Sequence, residues 1–332
     1  MNVEFRETGI YLPEIDLWLD NIEPCGATWI SHGHSDHARG CHGRVIGTAT
    51  TLNFYRMRLW LGEAQDEPEL IPLEFGEAME WNGAKLSAFP ASHILGAAQF
   101  LIEHRGERLV YTGDIKLRPP LCGETTKAVP CDRLIIESTF GLPIYRLLSR
   151  EQAIERIVTF AHGCLAEGIT PSFIGYALGR GQEIVHVLCE AGICTAVHGA
   201  IAKFIPAYEA QGYNFRGWEP YDAKSIAGKA LVVVPSHGSA LEASGKKVRL
   251  AYVSGWAALD NARARSGAEE LIPYSDHADF DELLRLVEQS AAKQIDVVHG
   301  YTVPFSRILR QRGYSAAAPH RAGARTTIEA EG

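Results

Sequence analysis

The segment at 31–37 constrains this chain of 332 residues more than any other stretch. It reads Ser-His-Gly-His-Ser-Asp-His and directly follows an apolar, β-prone run. In an extended loop, residues two apart point the same way, so His32 and His34 can converge on one ion. Asp36 and His37 can then reach a second ion close by. A polar loop that holds these side chains by chance is the weaker interpretation, because it would expose strong donors and acceptors for no purpose.

Three further candidate ligands, His93, Asp114 and His299, each stand at the carboxyl end of a β-prone run. Any one of them alone is more often an ordinary turn residue. A carboxylate such as that of Asp114 can bridge two ions, and Gly96 allows the backbone near His93 to approach its neighbours closely. Together with the histidine-rich loop, these residues predict the ligand set of a binuclear metal site.

The order of these residues resembles that of the metallo-β-lactamase fold family. The matching pattern is His32-x-His34-x-Asp36-His37, then His93, then Asp114. The resemblance implies that the first ion is held by His32, His34 and His93. It implies that the second ion is held by Asp36, His37 and His299, with Asp114 as the bridge. The implied cofactors are two divalent ions, zinc or alternatively manganese.

Other motifs resemble those of the β-CASP nucleases within that family. The run 134–141 carries Glu137 and resembles the acidic motif that opens the inserted β-CASP cap. The run 274–279 carries His277 and resembles the next motif of the group. Further signatures lie at 177–183, 253–257 and 298–300, so that the resemblance covers roughly residues 27–300. The group it resembles most is the bacterial DNA ligase-associated exonucleases, which are encoded beside a ligase and a helicase.

The resemblance implies an α/β fold, namely a metallo-β-lactamase αββα sandwich with a short inserted β-CASP-like α/β cap. The metallo-β-lactamase domain would consist of 1–145 plus 250–332, and the cap of 146–249. The residue patterns agree with this division. Short β-prone runs fill the first half, and strand–helix alternation follows from an amphipathic helix that has Ser149 as its candidate N-cap. Because no flexible linker marks a boundary, the middle region is predicted to be an insertion.

The composition limits the classes of protein to which the chain can belong. With 46% hydrophobic and 22% charged residues, the chain has the material for a sizeable globular core. No stretch approaches the ~18 apolar residues of a membrane helix, and the first residues carry no hydrophobic run, so neither a membrane span nor a signal peptide is expected. The seven cysteines include no Cys-x-x-Cys pair, which favours the reducing cytoplasm over a disulfide framework. The net charge of −8 by itself argues against nucleic-acid binding, but two divalent ions add about four positive charges where a phosphate would sit.

The chemistry expected of such a site is the hydrolysis of a phosphodiester. Two ions about 3.5–4 Å apart lower the pKa of a shared water and clamp the oxygens of an in-line displacement. Asp36 and Asp114 are the candidate catalytic carboxylates, with hydroxide held near Asp114 attacking phosphorus. We expect His277 to donate a hydrogen bond or a proton to a phosphate oxygen, and Glu137 to keep His277 protonated.

The candidate substrate contacts lie in the middle of the chain. Arg180 and Gly181 stand at the start of a predicted helix, where backbone N–H groups and a guanidinium favour phosphate. A Gly-rich strand–helix turn with a surface arginine is the equally weighted alternative. Ser236 follows the predicted strand at 230–234, and it either faces the cleft or has no role.

These features favour a metal-dependent nuclease that acts on DNA in repair, with a DNA ligase and a helicase as its functional partners. An RNA-processing nuclease of the same superfamily is the alternative, because a histidine at the position of His299 accompanies RNA cleavage there. Glu137, His277 and the inserted cap argue against a hydrolase of small esters. The intact ligand set argues against a non-catalytic scaffold.

Overall fold

The computed structural model describes residues 1–58, 67–237 and 247–319, and the chain divides into two compact units. The first unit consists of Met1–Leu117, Glu124–Pro143 and the chain from His277 onward. The second unit consists of Arg118–Gly123 and Ile144–Asp276. Within the described residues, the strands form two sheets in the first unit and one sheet in the second.

The strands are numbered along the chain. The first sheet contains β1 (Glu4–Arg6), β2 (Gly9–Leu12), β3 (Leu17–Leu19), β4 (Ala27–Trp29), β5 (Arg44–Gly47) and β6 (Glu69–Pro72). The second sheet begins with β7 (Ala78–Trp81), β8 (Ala84–Pro90), β9 (Ala98–His104), β10 (Glu107–Tyr111) and β11 (Arg133–Ser138). The third sheet contains β12 (Thr170–Ile174), β13 (Thr195–Val197), β14 (Trp218–Pro220), β15 (Ala230–Val233), β16 (Val248–Val253) and β17 (Glu270–Ile272). The second sheet is completed by β18 (Gln294–Gly300) and β19 (Ala316–Ala317).

Helices connect these strands. They are α1 (Ala49–Arg58), α2 (Arg150–Ala166), α3 (Arg180–Glu190), α4 (Gly199–Ala202), α5 (Ile205–Glu209), α6 (Ala262–Ser266), α7 (Phe280–Ser290) and α8 (Thr302–Gln311), with a 3₁₀ turn at Gly255–Ala258. The predicted N-cap of α2 is confirmed, because Ser149 Oγ accepts the Gln152 N–H while the Gln152 side chain accepts the Ser149 N–H. Among the described residues, no helix combines the length and the apolar character needed to cross a membrane.

The first and second sheets share one hydrophobic core. Buried residues of both sheets form a single cluster, which includes Ile10, Leu19, Ile46, Leu86, Ile102 and Ile135. At its centre Trp29 on β4 stacks on Phe100 on β9, with ring centroids 4.0 Å apart. Each fully buried side chain of this size contributes roughly 1.5–3 kcal/mol. This core holds strand ends from two different sheets in fixed positions.

The directions of the strands determine which strand ends lie along the same edge of the second sheet. β10, β11 and β18 run parallel to one another. β9 is antiparallel to both β8 and β10, so β8 runs in the same direction as β10. The carboxyl ends of β8, β10, β11 and β18 therefore lie along one edge of the sheet. His93, Asp114, Glu137 and His299 follow or end these strands.

The third sheet is parallel throughout, in the order β14-β13-β15-β12-β16-β17. Helices α2 and α3 alternate with its strands, as the periodicity predicts for an α/β unit. The predicted α/β class is confirmed. The predicted cap boundary at 249 falls inside β16. The αββα layering and the assignment of residues to a metallo-β-lactamase domain and a cap stay predictions.

Candidate metal centre

The carboxylate of Asp114 forms the centre of a buried cluster in the first unit. Its Oδ2 lies 3.5 Å from His32 Nε2, 3.4 Å from His37 Nε2 and 3.6 Å from His93 Nε2. Burial raises the pKa of Asp114 to about 7, although the nearby positive charge of His37 lowers it. Residues from three separate stretches of sequence thus bring nitrogen and oxygen donors to one point.

His34 joins this cluster from the same loop as His32. His34 Nδ1 lies 3.0 Å from His93 Nε2, and the rings of both residues lie within 4.8 Å of the His32 ring. His32, His34, His93 and Asp114 each offer one ligand atom within 4.8 Å of the others. These are the three histidines predicted to hold the first ion, together with the predicted bridging carboxylate.

The residues predicted for the second ion lie beside His37. The His299 ring centroid is 5.3 Å from that of His37, and Asp36 Oδ2 is 3.7 Å from His37 Nε2. The Asp36 side chain is 70% exposed, whereas those of His37 and Asp114 are almost fully buried. All seven predicted ligands therefore lie in one neighbourhood, with Asp36 on its solvent side.

The tautomer of His32 fits a metal ligand. Its Nδ1 lies 3.0 Å from Ser31 Oγ, and that hydroxyl donates to Asp20 Oδ2 at 2.6 Å. Because the hydroxyl proton is used on Asp20, His32 Nδ1–H must be the donor to Ser31 Oγ, which leaves a lone pair on Nε2. Within the described residues no hydrogen-bond partner reaches this buried Nε2. Burial and the neighbouring histidines hold the pKa of His32 well below its usual value, so the imidazole is neutral, as a ligand must be.

Asp20 organises the site, and the sequence analysis does not find it. Its Oδ2 accepts hydrogen bonds from His37 Nδ1 at 2.6 Å and from the Tyr111 hydroxyl at 2.7 Å, and its Oδ1 accepts the Ser31 N–H at 2.7 Å. His37 therefore also presents Nε2 to Asp114. Burial lowers the pKa of His37, but the charges of Asp114, Asp36 and Asp20 outweigh that effect and raise it to about 10, so a metal ion would have to displace a proton from Nε2. The sequence signal was an aspartate directly after the short strand β3.

The donor set fits divalent metal ions. Imidazole nitrogens and carboxylate oxygens are ligands that zinc and manganese accept. The hydrogen bonds from Nδ1 of His32 and His37 to groups behind them are the supporting contacts that metal-binding histidines commonly make. A divalent ion would satisfy the buried Nε2 of His32, which has no hydrogen-bond partner among the described residues. The residues present thus fit the predicted cofactor, although the identity of the ion stays a prediction.

The buried Glu137 and the partly buried His277 form a pair beside Asp114. His277 Nδ1 lies 2.9 Å from Glu137 Oε1, and that carboxylate also accepts the backbone N–H groups of Ile115 and Thr139. Burial acts to raise the pKa of Glu137, but the charge and hydrogen bond of His277 lower it below its usual value. An ionised Glu137 fixes the His277 proton on Nδ1 and leaves Nε2 for another partner. The His277 ring lies 4.5 Å from the His93 ring.

The turn that carries His299 has an uncommon backbone. His299 itself has a φ of 54°, in the left-handed region, and Gly300 follows with a φ of 68°. A Cβ on Gly300 would lie 2.5 Å from the Ser138 carbonyl oxygen and from Thr139 Cα. Only glycine fits this position, and a non-glycine residue held in the left-handed region is a common sign of a functional constraint.

The structure places Arg180 differently from the predicted phosphate contact. Its side chain is 1% exposed, and its guanidinium forms an ion pair with Asp276 and donates to the carbonyl oxygens of Val253 and Tyr274. The Gly181 N–H donates to the Tyr176 carbonyl oxygen at 3.0 Å. Both groups are occupied by protein partners, because this strand–helix turn is packed inside the second unit. Ser236, the third predicted contact, is exposed and lies three residues after β15.

One comparison concerns the fold alone. The structure is similar to the crystal structure of a protein of unknown function from Enterococcus faecalis V583, with a TM-score of 0.61 and 15% sequence identity. The similarity covers 89% of this chain and 79% of that one. No family model matches the chain.

Other comparisons concern the sequence. Cleavage and polyadenylation specificity factor subunit 3 from Dictyostelium discoideum is 32% identical over 209 residues, which cover 54% of this chain and 25% of the relative. Endoribonuclease YSH1 from Yarrowia lipolytica is 31% identical over 191 residues, which cover 48% of this chain and 23% of the relative. The chain is homologous to these metallo-β-lactamase/β-CASP nucleases.

A further sequence relative has a different name. It is a probable DNA ligase from Opitutus terrae, 34% identical over 314 residues, which cover 93% of this chain and 30% of the relative. The chain thus spans less than a third of the length of each of these relatives. The activities in their names are properties of those longer proteins.

Proposed function

We propose that this chain is a metal-dependent nuclease that hydrolyses phosphodiester bonds of DNA, in the context of DNA repair. The observation that carries the proposal is the convergence of three imidazole Nε2 atoms on Asp114 Oδ2, beside the Glu137–His277 pair. Two relatives whose names describe RNA cleavage or processing support a phosphodiester as the substrate. The relative named as a probable DNA ligase, which matches 93% of the chain, supports DNA as the substrate and a functional association with a ligase.

The ligand roles follow from the positions of the side chains. His32, His34 and His93 would hold one ion, and Asp36, His37 and His299 the other, with Asp114 between them. When bound, such a pair of ions supplies a low-pKa water and a clamp on the phosphate oxygens. Ser31 and Asp20 hydrogen-bond with Nδ1 of His32 and His37, respectively, which orients the Nε2 atoms of both rings toward Asp114.

His277 and Glu137 would act on the substrate. Because Nδ1 of His277 is bound to Glu137, Nε2 is the atom that donates to the phosphoryl or leaving oxygen. The negative charge of Glu137 favours the protonated imidazole, which is the form required of a donor. The backbone N–H groups of Ile115 and Thr139 hold Glu137 in place and keep it ionised.

The test is a matrix of metals against substrates. End-labelled single-stranded DNA and RNA of one sequence are incubated with protein loaded with zinc, manganese, magnesium or cobalt, and the products are separated on a gel. We expect DNA cleavage with zinc or manganese, and none after treatment with EDTA or in an Asp114→Ala variant. Cleavage of neither polymer under any metal would contradict the proposal, and the product ends would show the direction of attack.

An RNA nuclease is the second candidate, and specific observations favour it. His299 lies next to His37 at the position that accompanies RNA cleavage in this superfamily, and one relative is named as an endoribonuclease. In the same matrix, RNA cleavage well above DNA cleavage would establish this candidate instead.

A further inference from the structure

A cluster of three rings lies at the carboxyl edge of the third sheet, in the second unit. His198 directly follows β13, Tyr221 directly follows β14, and His237 lies four residues after β15. β14, β13 and β15 are neighbouring parallel strands, so these three residues lie at the same edge. The His237 ring centroid is 5.0 Å from that of His198 and 5.0 Å from that of Tyr221. We call these three residues the edge cluster.

The edge cluster lies at the margin of the hydrophobic core of the third sheet, against which Tyr221 packs. All three side chains are only partly buried, so the rings are accessible from solvent. The carboxyl edge of a parallel sheet is also where open α/β folds bind ligands. Ser236, a predicted substrate contact, is exposed directly before His237 and adds a hydroxyl to the same edge.

The tautomer of His198 shows which chemistry it offers. Its Nδ1 accepts the Ala200 N–H at 3.2 Å, so a neutral imidazole carries its proton on Nε2. Burial and the neighbouring His237 lower the pKa of His198, which favours this neutral form. A protonated Nε2 has no lone pair for a metal ion, but it donates a hydrogen bond. His198 therefore suits an acceptor oxygen or nitrogen on a ligand.

We propose that the edge cluster binds one nucleotide of a single-stranded nucleic acid, with the base stacked on the Tyr221 ring, the His237 ring at 80° to it contacting the edge of the base, and His198 Nε2–H donating to the base. This inference rests on the proposed function, because that function supplies the nucleic acid. Aromatic rings hold bases of any sequence, since every base has a π-face. The cluster is thus a sequence-independent subsite outside the unit that contains the metal ligands.

The test measures binding without cleavage. Fluorescence anisotropy of a labelled oligothymidylate is followed with EDTA-treated protein, for wild type and for the variants Tyr221→Ala, His237→Ala and Tyr221→Phe. We expect each alanine variant to bind about five- to tenfold more weakly, and Tyr221→Phe to bind more tightly than Tyr221→Ala because it keeps the ring. His162→Ala is the matched control, because His162 is an exposed histidine on α2 of the same unit. Melting curves establish that each variant is folded.

A second measurement uses the wild-type protein only. An oligonucleotide with 5-iodouracil is cross-linked by light, and mass spectrometry locates the modified peptide. Cross-links at 221 or 237 support the subsite even if an alanine variant fails to fold. Tight wild-type binding with unchanged affinity in the folded variants, or with cross-links only elsewhere, would overturn the subsite and leave the nuclease proposal intact. A wild-type protein that neither binds nor cleaves any nucleic acid would refute the proposed function, and the subsite with it.

Discussion

Asp20 is the residue on which the geometry of the candidate metal centre most depends. Four hydrogen bonds end on its two oxygens, from His37, Tyr111 and the backbone and hydroxyl of Ser31. In Asp20→Asn only one oxygen remains to accept them, and the side chain carries no charge. We expect zinc affinity to fall about 10- to 100-fold, as for other groups that orient metal-binding histidines. Competition with a chromophoric chelator measures this affinity.

The matched control for Asp20 is Asp16→Asn. Asp16 also has a positive φ and accepts a tyrosine hydroxyl, that of Tyr11, but it lies exposed. Its replacement should leave zinc affinity at the wild-type value. Equal affinities for Asp20→Asn and wild type would show that Asp20 does not position the ligands.

His277 gives a prediction that separates catalysis from metal binding. In His277→Ala the donor to the phosphate oxygen is lost, and general acid catalysis of this kind contributes about 10²- to 10⁴-fold in rate. We expect kcat to fall by that factor. The metal content, measured by inductively coupled plasma mass spectrometry, should stay at the wild-type value. Full activity in the variant would contradict the proposed role, and loss of metal would make His277 a ligand instead.

The sequence points to the candidate ligands that the structure brings together, but not to Asp20 behind them, for a physical reason. Each ligand was found from its residue type, its position at a strand end and the spacing within the loop at 31–37. Asp20 is a single carboxylate after a three-residue strand, and its partners are 11 to 91 positions away. No local pattern encodes such contacts, which exist only after both sheets of the first unit have formed.

The loop between β8 and β9 shows how an element positions a ligand. It carries His93, and at Gly96 its φ is +76°. A Cβ there would lie 2.6 Å from Thr50 Cβ on α1, so the predicted close approach at Gly96 is confirmed. Gly106, in the turn between β9 and β10, has a φ of +82° but no heavy atom within 4 Å of the corresponding Cβ.

This contrast allows the strain of the φ angle to be separated from steric overlap. Gly106→Ala should lower the free energy of unfolding by about 1–2 kcal/mol, the cost of a left-handed alanine. Gly96→Ala should lower it by a further 1–3 kcal/mol, roughly the cost of overpacking. Urea unfolding followed by circular dichroism measures both. If both variants lost the same free energy of unfolding, α1 would have moved away from the loop at no energetic cost.

Arg180, at the start of α3, is a residue whose burial the sequence does not predict. A Gly-Arg-Gly turn before a helix has the same appearance whether its guanidinium faces phosphate or the interior. The structure buries it against Asp276, beside Glu183, whose Oε1 accepts the Leu121 N–H. Burial depends on the packing of distant strands and has no local signature.

The buried ion pair predicts a large effect on stability. Arg180→Met leaves the Asp276 carboxylate buried without its cation, and removal of one partner from such a pair typically costs about 3–5 kcal/mol. We expect the free energy of unfolding, measured with urea, to fall by about 3–5 kcal/mol. Arg249→Met is the control, because the ion pair of Arg249 with Glu167 is on the surface and its loss should change the midpoint far less. If Arg180→Met and Arg249→Met lowered the free energy of unfolding equally, the buried ion pair would contribute no more to stability than the surface pair.

At the scale of the whole molecule, the candidate ligands come from one unit of the two. The predicted ligands and the Glu137–His277 pair all belong to the first unit, and the third sheet belongs to the second. The strand–helix alternation predicted the second unit correctly as an α/β region. The short strands β1–β3 are not found from the sequence, because runs of three or four residues carry too little periodicity.

This division predicts where metal removal acts. An ion that binds only the folded state stabilises it, by about 4 kcal/mol at a concentration 1,000 times its dissociation constant. EDTA should therefore increase hydrogen exchange in the loops at 30–38, 91–97 and 112–116, which carry the ligands. Exchange in β12–β17 should stay unchanged, because those strands hold no predicted ligand. Added zinc should restore protection in the three loops, since Asp20 and Ser31 keep the histidines oriented. Exchange that rises equally in the third sheet would show that the ion stabilises the whole chain, and unchanged loops would show that it binds elsewhere.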